Sequence, residues 1–98
     1  MKVTLDVENT VTKRDGKIHM DPFEQENTLV MVGVLTDQDV ERHFPFDHAD
    51  VPNQDDYHER VQWFLDNATV LIMHNAAHDL LWLWESGFKY DGPVFDTM

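Results

Sequence analysis

Residues 3–8, Val3-Thr4-Leu5-Asp6-Val7-Glu8, alternate apolar and polar and end in two carboxylates set two residues apart. Successive side chains of a strand point to opposite faces, so Val3, Leu5 and Val7 face a core while Thr4, Asp6 and Glu8 share the other side. Two acids side by side repel, and taking them out of water costs several kcal/mol per ion unless something positive lies between them. A divalent cation meets that need, which makes Asp6 and Glu8 candidate metal ligands. The triplet is short enough to arise by chance in an acidic chain, and a second one, Asp39-Val40-Glu41, is present. That copy follows Thr36-Asp37-Gln38, a polar run that reads as a turn, so Asp39 and Glu41 are expected in a solvated loop.

The 98 residues bound the answer to one small domain, 1–98, whose 42% hydrophobic content supports a modest core. Cysteine is absent, which excludes disulfides and thiolate metal sites and is compatible with a reducing cytoplasm. No apolar run approaches the roughly 20 residues that span a bilayer, and the N-terminus lacks a signal-peptide core, so no membrane partner and a cytoplasmic location are expected. The net charge of −12 argues against a surface that grips nucleic-acid backbone by itself, because that affinity comes from Lys and Arg displacing counterions. A metal site could still hold a phosphate, and the acidity equally suits a face for a basic partner.

After Glu8, residues 9–16 run through Thr10, Val11 and Thr12 into a charged segment and the turn signal Asp15-Gly16, and are read as an exit into a loop. Thr28 to Thr36 is almost continuously apolar and fits a strand buried on both faces, with Gly33 marking a bulge or a close approach. Val40, Arg42, Phe44 and Phe46 alternate as a more exposed third strand. His48 to Gln54 is read as a loop with Pro52, and Asp55-Asp56 as a helix start with Glu59 completing a capping box. Tyr57, Val61, Phe64, Leu65 and Ala68 then recur at helical spacing, which packs one face of that helix on the sheet. Asn67 suits its end, and Thr69 to Met73 is a buried strand.

That strand runs directly into a helix, His74-Asn75-Ala76-Ala77-His78-Asp79-Leu80, with Asn75 as N-cap and Gly87 as the C-terminal stop. Asp79 falls one turn in, on the face of Ala76 and Leu83, so its carboxylate is directed at the strand ends. Acids on the first strand and on the helix after the last would bring Asp6, Glu8 and Asp79 to one site. Such clusters hold two Mg²⁺ or Mn²⁺ ions about 4 Å apart for phosphodiester hydrolysis, using hard oxygen ligands.

D-x-E on an N-terminal strand, then H-N-A-x-x-D-L-x-x-L, then D-T-M resembles the DEDD-type 3′-5′ exonucleases of the RNase H-like superfamily, and is most similar to the proofreading domains of phage and bacterial family A DNA polymerases. The resemblance covers nearly the whole chain, and its second motif is the more specific. It implies an α/β RNase H-like fold, here incomplete: a mixed sheet with an antiparallel N-terminal meander, a strand added parallel to the first, and two helices. It implies that Asp6 bridges both metals, that Glu8 holds the nucleophile-side ion and that Asp79 serves the other. Asn9, Thr10 and Asn75 would lie near the terminal nucleotide of a single-stranded DNA 3′ end. The family's third motif, which carries the fourth acid and the general base, would lie beyond Met98. Asp96 stands where the family leads into its next helix and is read as a turn or capping residue.

The i, i+4 pair His74 and His78 would suit zinc, but H-E-x-x-H requires Glu where this chain has Asn75. His78-Asp79 also resembles the core of HD-domain phosphohydrolases, which are helical, whereas half of this chain reads as strand. His43, His48 and His58 are read as surface histidines. Trp82 and Trp84 could stack on bases, though beside Leu81 and Leu83 they read as core. The expectation is therefore a metal-dependent exonuclease fragment with an incomplete two-metal site, inactive alone. A non-catalytic acidic interaction protein is the alternative. An apolar sheet face left bare at Met98 is expected to drive self-association or to require a completing protein partner.

Overall fold

The computed structural model describes residues 1–24, 26–47 and 56–98. Seven strands and two helices follow one another as β1 (Lys2–Asn9), β2 (Thr12–Arg14), β3 (Lys17–His19), β4 (Leu29–Thr36), β5 (Glu41–Pro45), α1 (Tyr57–Asn67), β6 (Val70–Met73), α2 (Ala76–Glu85) and β7 (Val94–Asp96). Five strands form one mixed sheet in the order β5-β4-β1-β6-β7, and β2 and β3 form a separate hairpin. β1, β4 and β5 are an antiparallel meander, while β6 is parallel to β1 and β7 parallel to β6. The chain is thus an α/β domain in which α1 carries it across from the meander edge to the parallel half.

The alternation of β1 is realised strictly: Val3, Leu5 and Val7 are buried, and Thr4, Asp6 and Glu8 exposed. Register carries that division across the sheet, with Leu5 opposite Val34 and Val7 opposite Val32, and Val32 opposite Phe44 on β5. Both helices pack on this one face. Val61, Phe64 and Leu65 of α1 and Ala76, Trp82 and Leu83 of α2 join Val3, Leu5, Leu71 and Met73 in a single core. Each such side chain taken fully from water contributes about 1.5–3 kcal/mol. Phe44 anchors the α1 side, with the Tyr57 ring edge-on at 5.5 Å and the Arg60 guanidinium 5.1 Å from its centroid.

The opposite face of the sheet has no helix over it among the described residues. Leu35 is 46% exposed and Phe95 61%, so β4 is not buried on both sides as its apolar run implies. No bulge occurs at Gly33, which pairs regularly with Asp6 and His43; the irregularity lies at Glu8/Asn9 instead. Residues 9–16 are not simply a loop either. They enter the β2–β3 hairpin, whose turn places Asp15 and Gly16 at positive φ.

Helix ends depart from local expectation in one case and follow it in another. Asp56 occupies the N-cap of α1 but has helical backbone angles and makes no side-chain capping bond, so the capping box is not formed. The loop expected at His48 to Gln54, with Pro52, and the placement of Asp55 lie outside the described residues. Gly87 does stop α2: at φ +88° it donates to Trp84 O (3.1 Å) while the Phe88 N–H reaches back to Leu83 O (2.9 Å). This is the Schellman arrangement, with Phe88 buried against the core. No helix among the described residues is long and apolar enough to cross a membrane.

Candidate functional site

β6 pairs with β1 only along Lys2–Thr4, so beyond Thr4 the β6 side of β1 is free and the first turn of α2 comes in beside it. Asp79 is placed there by its helical register with Ala76 and Leu83, and its side chain is driven inward: the residue is 3% exposed. The Val7 backbone N–H lies near enough to its carboxylate to favour the ionised form. Its Oδ2 is the one buried side-chain polar atom among the described residues that has no partner. An ionised buried acceptor left bare costs more than the ~1–3 kcal/mol of a neutral one. Burial chiefly, and then the charge of Asp6, raise the Asp79 pKa from the ordinary 3.8 to about 7; the Val7 N–H opposes this and Asp96 adds to it. A helix N-terminus lowers a carboxylate's pKa, so burial and the neighbouring acids outweigh the dipole here.

Asp6 therefore lies within electrostatic reach of Asp79. Asp6 and Glu8 line a shallow hollow on the open face of the sheet, together with Thr4, Met31, Glu41 and His43. Glu41 is a residue that sequence reasoning misplaced: it starts β5, opposite Leu35, and its carboxylate is paired to His43 Nε2 at 3.1 Å. A polar turn preceding it gives no local sign that β5 folds back over the acids of β1. Among the described residues no three His, Asp or Glu side chains stand close enough to hold one ion. The donor chemistry nonetheless suits a hard cation, because the bare Oδ2 of Asp79 and the carboxylate of Asp6 have no positive partner among the described residues.

Asn9 and Thr10 close the carboxylate-bearing end of β1, and their side chains are spoken for inside the fold. Asn9 Nδ2 donates to Thr10 O (2.7 Å) and Met20 O (3.1 Å), and its Oδ1 accepts from His78 Nε2 (2.9 Å). Thr10 Oγ1 accepts the Thr28 N–H at 2.7 Å. Trp82, buried, donates Nε1–H to the same Met20 carbonyl (2.9 Å). His78, Asn9 and Trp82 thus fasten the hairpin lobe between β1 and α2. Trp84 is not core, being 54% exposed; His43 is exposed, and so is His58, whose ring stacks on Phe88. His48 lies outside the described residues.

Asn75 precedes α2 with φ 67° and ψ 62°, left-handed, and makes no side-chain capping bond. The cap comes from Asp96 on β7. Its Oδ1 accepts the Asn75 N–H (3.0 Å) and its Oδ2 the Ala76 N–H (3.1 Å). No family model matches the chain, and no curated protein matches it.

Proposed function

We propose that this chain is the part of a metal-dependent 3′-5′ exonuclease domain, of the DEDD type on an RNase H-like sheet, that carries its first three metal-binding carboxylates. The observation that carries the reading is Asp79: a buried carboxylate with a bare oxygen, one turn into a helix, held beside Asp6. A carboxylate kept out of water beside another acid is stable only with a proton or a cation, and Mg²⁺ and Mn²⁺ take carboxylate oxygens. The sheet order, with β6 and β7 added parallel to β1, supports the RNase H-like assignment.

Asp6, Glu8 and Asp79 would be divided between two ions, since no three such side chains converge on one among the described residues; bound metal would activate a water and stabilise the charge on a leaving phosphodiester oxygen. Asp79 has one buried oxygen without a partner, Oδ2, that could serve that purpose. Asn9, Thr10 and Asn75 surround the approach a DNA 3′ end would take. Asn9 and Thr10 shape it through the backbone segments they pin, since their side chains are already bonded. This reading assigns the family's fourth acid and general base to none of the residues described here.

The test is substoichiometric Mn²⁺ added to the ¹⁵N-labelled chain. Broadening of the Asp6, Glu8 and Asp79 amide signals, lost in Asp6→Asn, is expected; broadening elsewhere, unaffected by Asp6→Asn, would overturn the assignment. A 3′-labelled single-stranded DNA should survive the chain alone. Robust Mn²⁺-dependent digestion that Asp79→Ala abolishes would show that three acids suffice. The second reading, an acidic interaction protein, draws on the open sheet face, where Leu35 and Phe95 are exposed. It predicts a folded chain indifferent to Mn²⁺.

A further inference from the structure

The turn from β6 into α2 combines two features that do not hold themselves. Asn75 adopts a left-handed conformation, which costs an L-residue roughly 1–2 kcal/mol, and the first N–H groups of α2 have no intrahelical partners. Asn75 does not solve either with its own side chain. Both are met from 21 and 20 residues away in the chain, by Asp96, whose two oxygens take the Asn75 and Ala76 N–H groups separately. The Met98 N–H closes on Asp96 Oδ1 from the far side (3.0 Å). β7 delivers this carboxylate by register: Asp96 pairs with Met73, the last residue of β6, and Thr97 N donates to Met73 O at 2.8 Å. His74, between them, lies with Nδ1 3.1 Å from Thr97 Oγ1.

The grip extends to Asp79 in one more bond. The Asp79 N–H donates to Asn75 O (3.3 Å), so the peptide group before Asn75 is held by β7 and the one after it receives Asp79. We propose that Asp96 is a positioning residue: a two-oxygen clamp from β7 that fixes Asn75 and the first turn of α2 and so aims the Asp79 carboxylate at Asp6. This rests on Asp79 being a metal ligand, and it assigns Asp96 a role other than ligation. Its oxygens point at three backbone N–H groups, which hold its carboxyl below the usual range and leave it committed as an anion to the helix end.

The experiment uses the full 98-residue chain, ¹⁵N-labelled, as wild type, Asp96→Ala and Asp96→Asn, and reads two quantities. In amide hydrogen exchange, Asp96→Ala speeds exchange at Asn75, Ala76 and Asp79 by roughly tenfold relative to Leu5 and Val34. Asp96→Asn, keeping one acceptor oxygen, falls between. With substoichiometric Mn²⁺, Asp96→Ala keeps the broadening of Asp6 and Glu8 and loses most of that at Asp79. Uniform acceleration across all amides would mean a general stability role, and unchanged broadening at Asp79 would mean that the clamp does not aim it; either overturns the inference. If the wild type shows no broadening at Asp6, Glu8 and Asp79, the metal reading fails, and the exchange pattern still decides the clamp. Should Asp96→Ala not fold, the same ordering is read from Asp96→Asn.

Discussion

Replacing Asp79 by Asn removes the charge while keeping the shape, and the structure sets the sign of the result at each pH. A carboxyl whose pKa is raised on folding holds its proton more tightly in the folded state. Its contribution is fully present below the unfolded value of 3.8 and is lost as pH rises through about 7. At about 1.4 kcal/mol for each pH unit of separation, the whole span amounts to ~4 kcal/mol, of which about 2–3 falls between pH 5 and pH 8. That is a large share of a small domain's ~5–15 kcal/mol. The Asn amide would leave donors unpaired where Oδ2 now sits, a pH-independent cost of about 1–3 kcal/mol. Asp79→Asn is therefore expected to lie close to wild type at pH 5, where the two costs are similar, and to be the more stable of the two at pH 8. Urea unfolding followed by tryptophan fluorescence across this range measures it, and the difference between the two proteins cancels the histidines and other acids. Millimolar Mn²⁺ should restore wild-type stability at pH 8 and leave Asp79→Asn unmoved. Parallel stability curves for the two proteins would refute the reasoning, since they would mean that Asp79 is neither desolvated nor pressed by Asp6.

Asn75→Gly should fold as well as wild type while Asn75→Ala loses about 1 kcal/mol in the same unfolding assay, because φ 67° suits glycine and disfavours alanine. Gly87→Ala should cost at least about 1 kcal/mol, since at φ +88° the new methyl is strained and meets His58 Nε2 at 3.4 Å. Phe44→Ala, at the junction of β5 and α1, should cost about 3–5 kcal/mol and abolish the near-ultraviolet circular dichroism signal. Sedimentation at rising salt should show association through the open sheet face, as screening removes the repulsion of a −12 chain; Phe95→Lys should suppress it, and monomers of both at high concentration would mean that face is self-sufficient.

The elements legible in the sequence are those whose pattern is set by burial. β1 alternates because one face meets the helices, the apolar faces of α1 and α2 recur at helical spacing, and β6 is apolar because it lies between β1 and β7. The elements that were not legible owe their shape to partners distant in sequence. β2 and β3 are short, and Lys13, Arg14, Lys17 and Ile18 are all exposed, so no periodicity marks them. β7 is a strand only because it pairs with β6, and every residue in it is exposed. The same division applies to the site. Asp6 and Glu8 stand out locally as two acids on one strand face, which the structure leaves exposed rather than buried, and Asp79 as an acid on a buried helix face, whereas Glu41 reaches the hollow, and Asp96 the helix end, through tertiary pairing that no spacing encodes.

Two departures from ordinary local chemistry fall within five residues of one another, and their proximity has a physical logic. Asn75 takes a backbone conformation that most side chains avoid, and Asp79 buries a carboxylate without satisfying it. Either alone is a liability, and a sequence selected only to fold would relieve both: glycine at 75, and an apolar residue at 79 to continue the surface of Ala76 and Leu83. Here both persist, and a third acid, Asp96, is committed to holding the first in place although its charge makes the second harder to ionise. An arrangement that sharpens the geometry of a carboxylate while worsening its electrostatics gains nothing for folding alone. It is the arrangement the proposed metal site calls for, because a cation would reward a fixed oxygen and offset the repulsion among Asp6, Asp79 and Asp96 together.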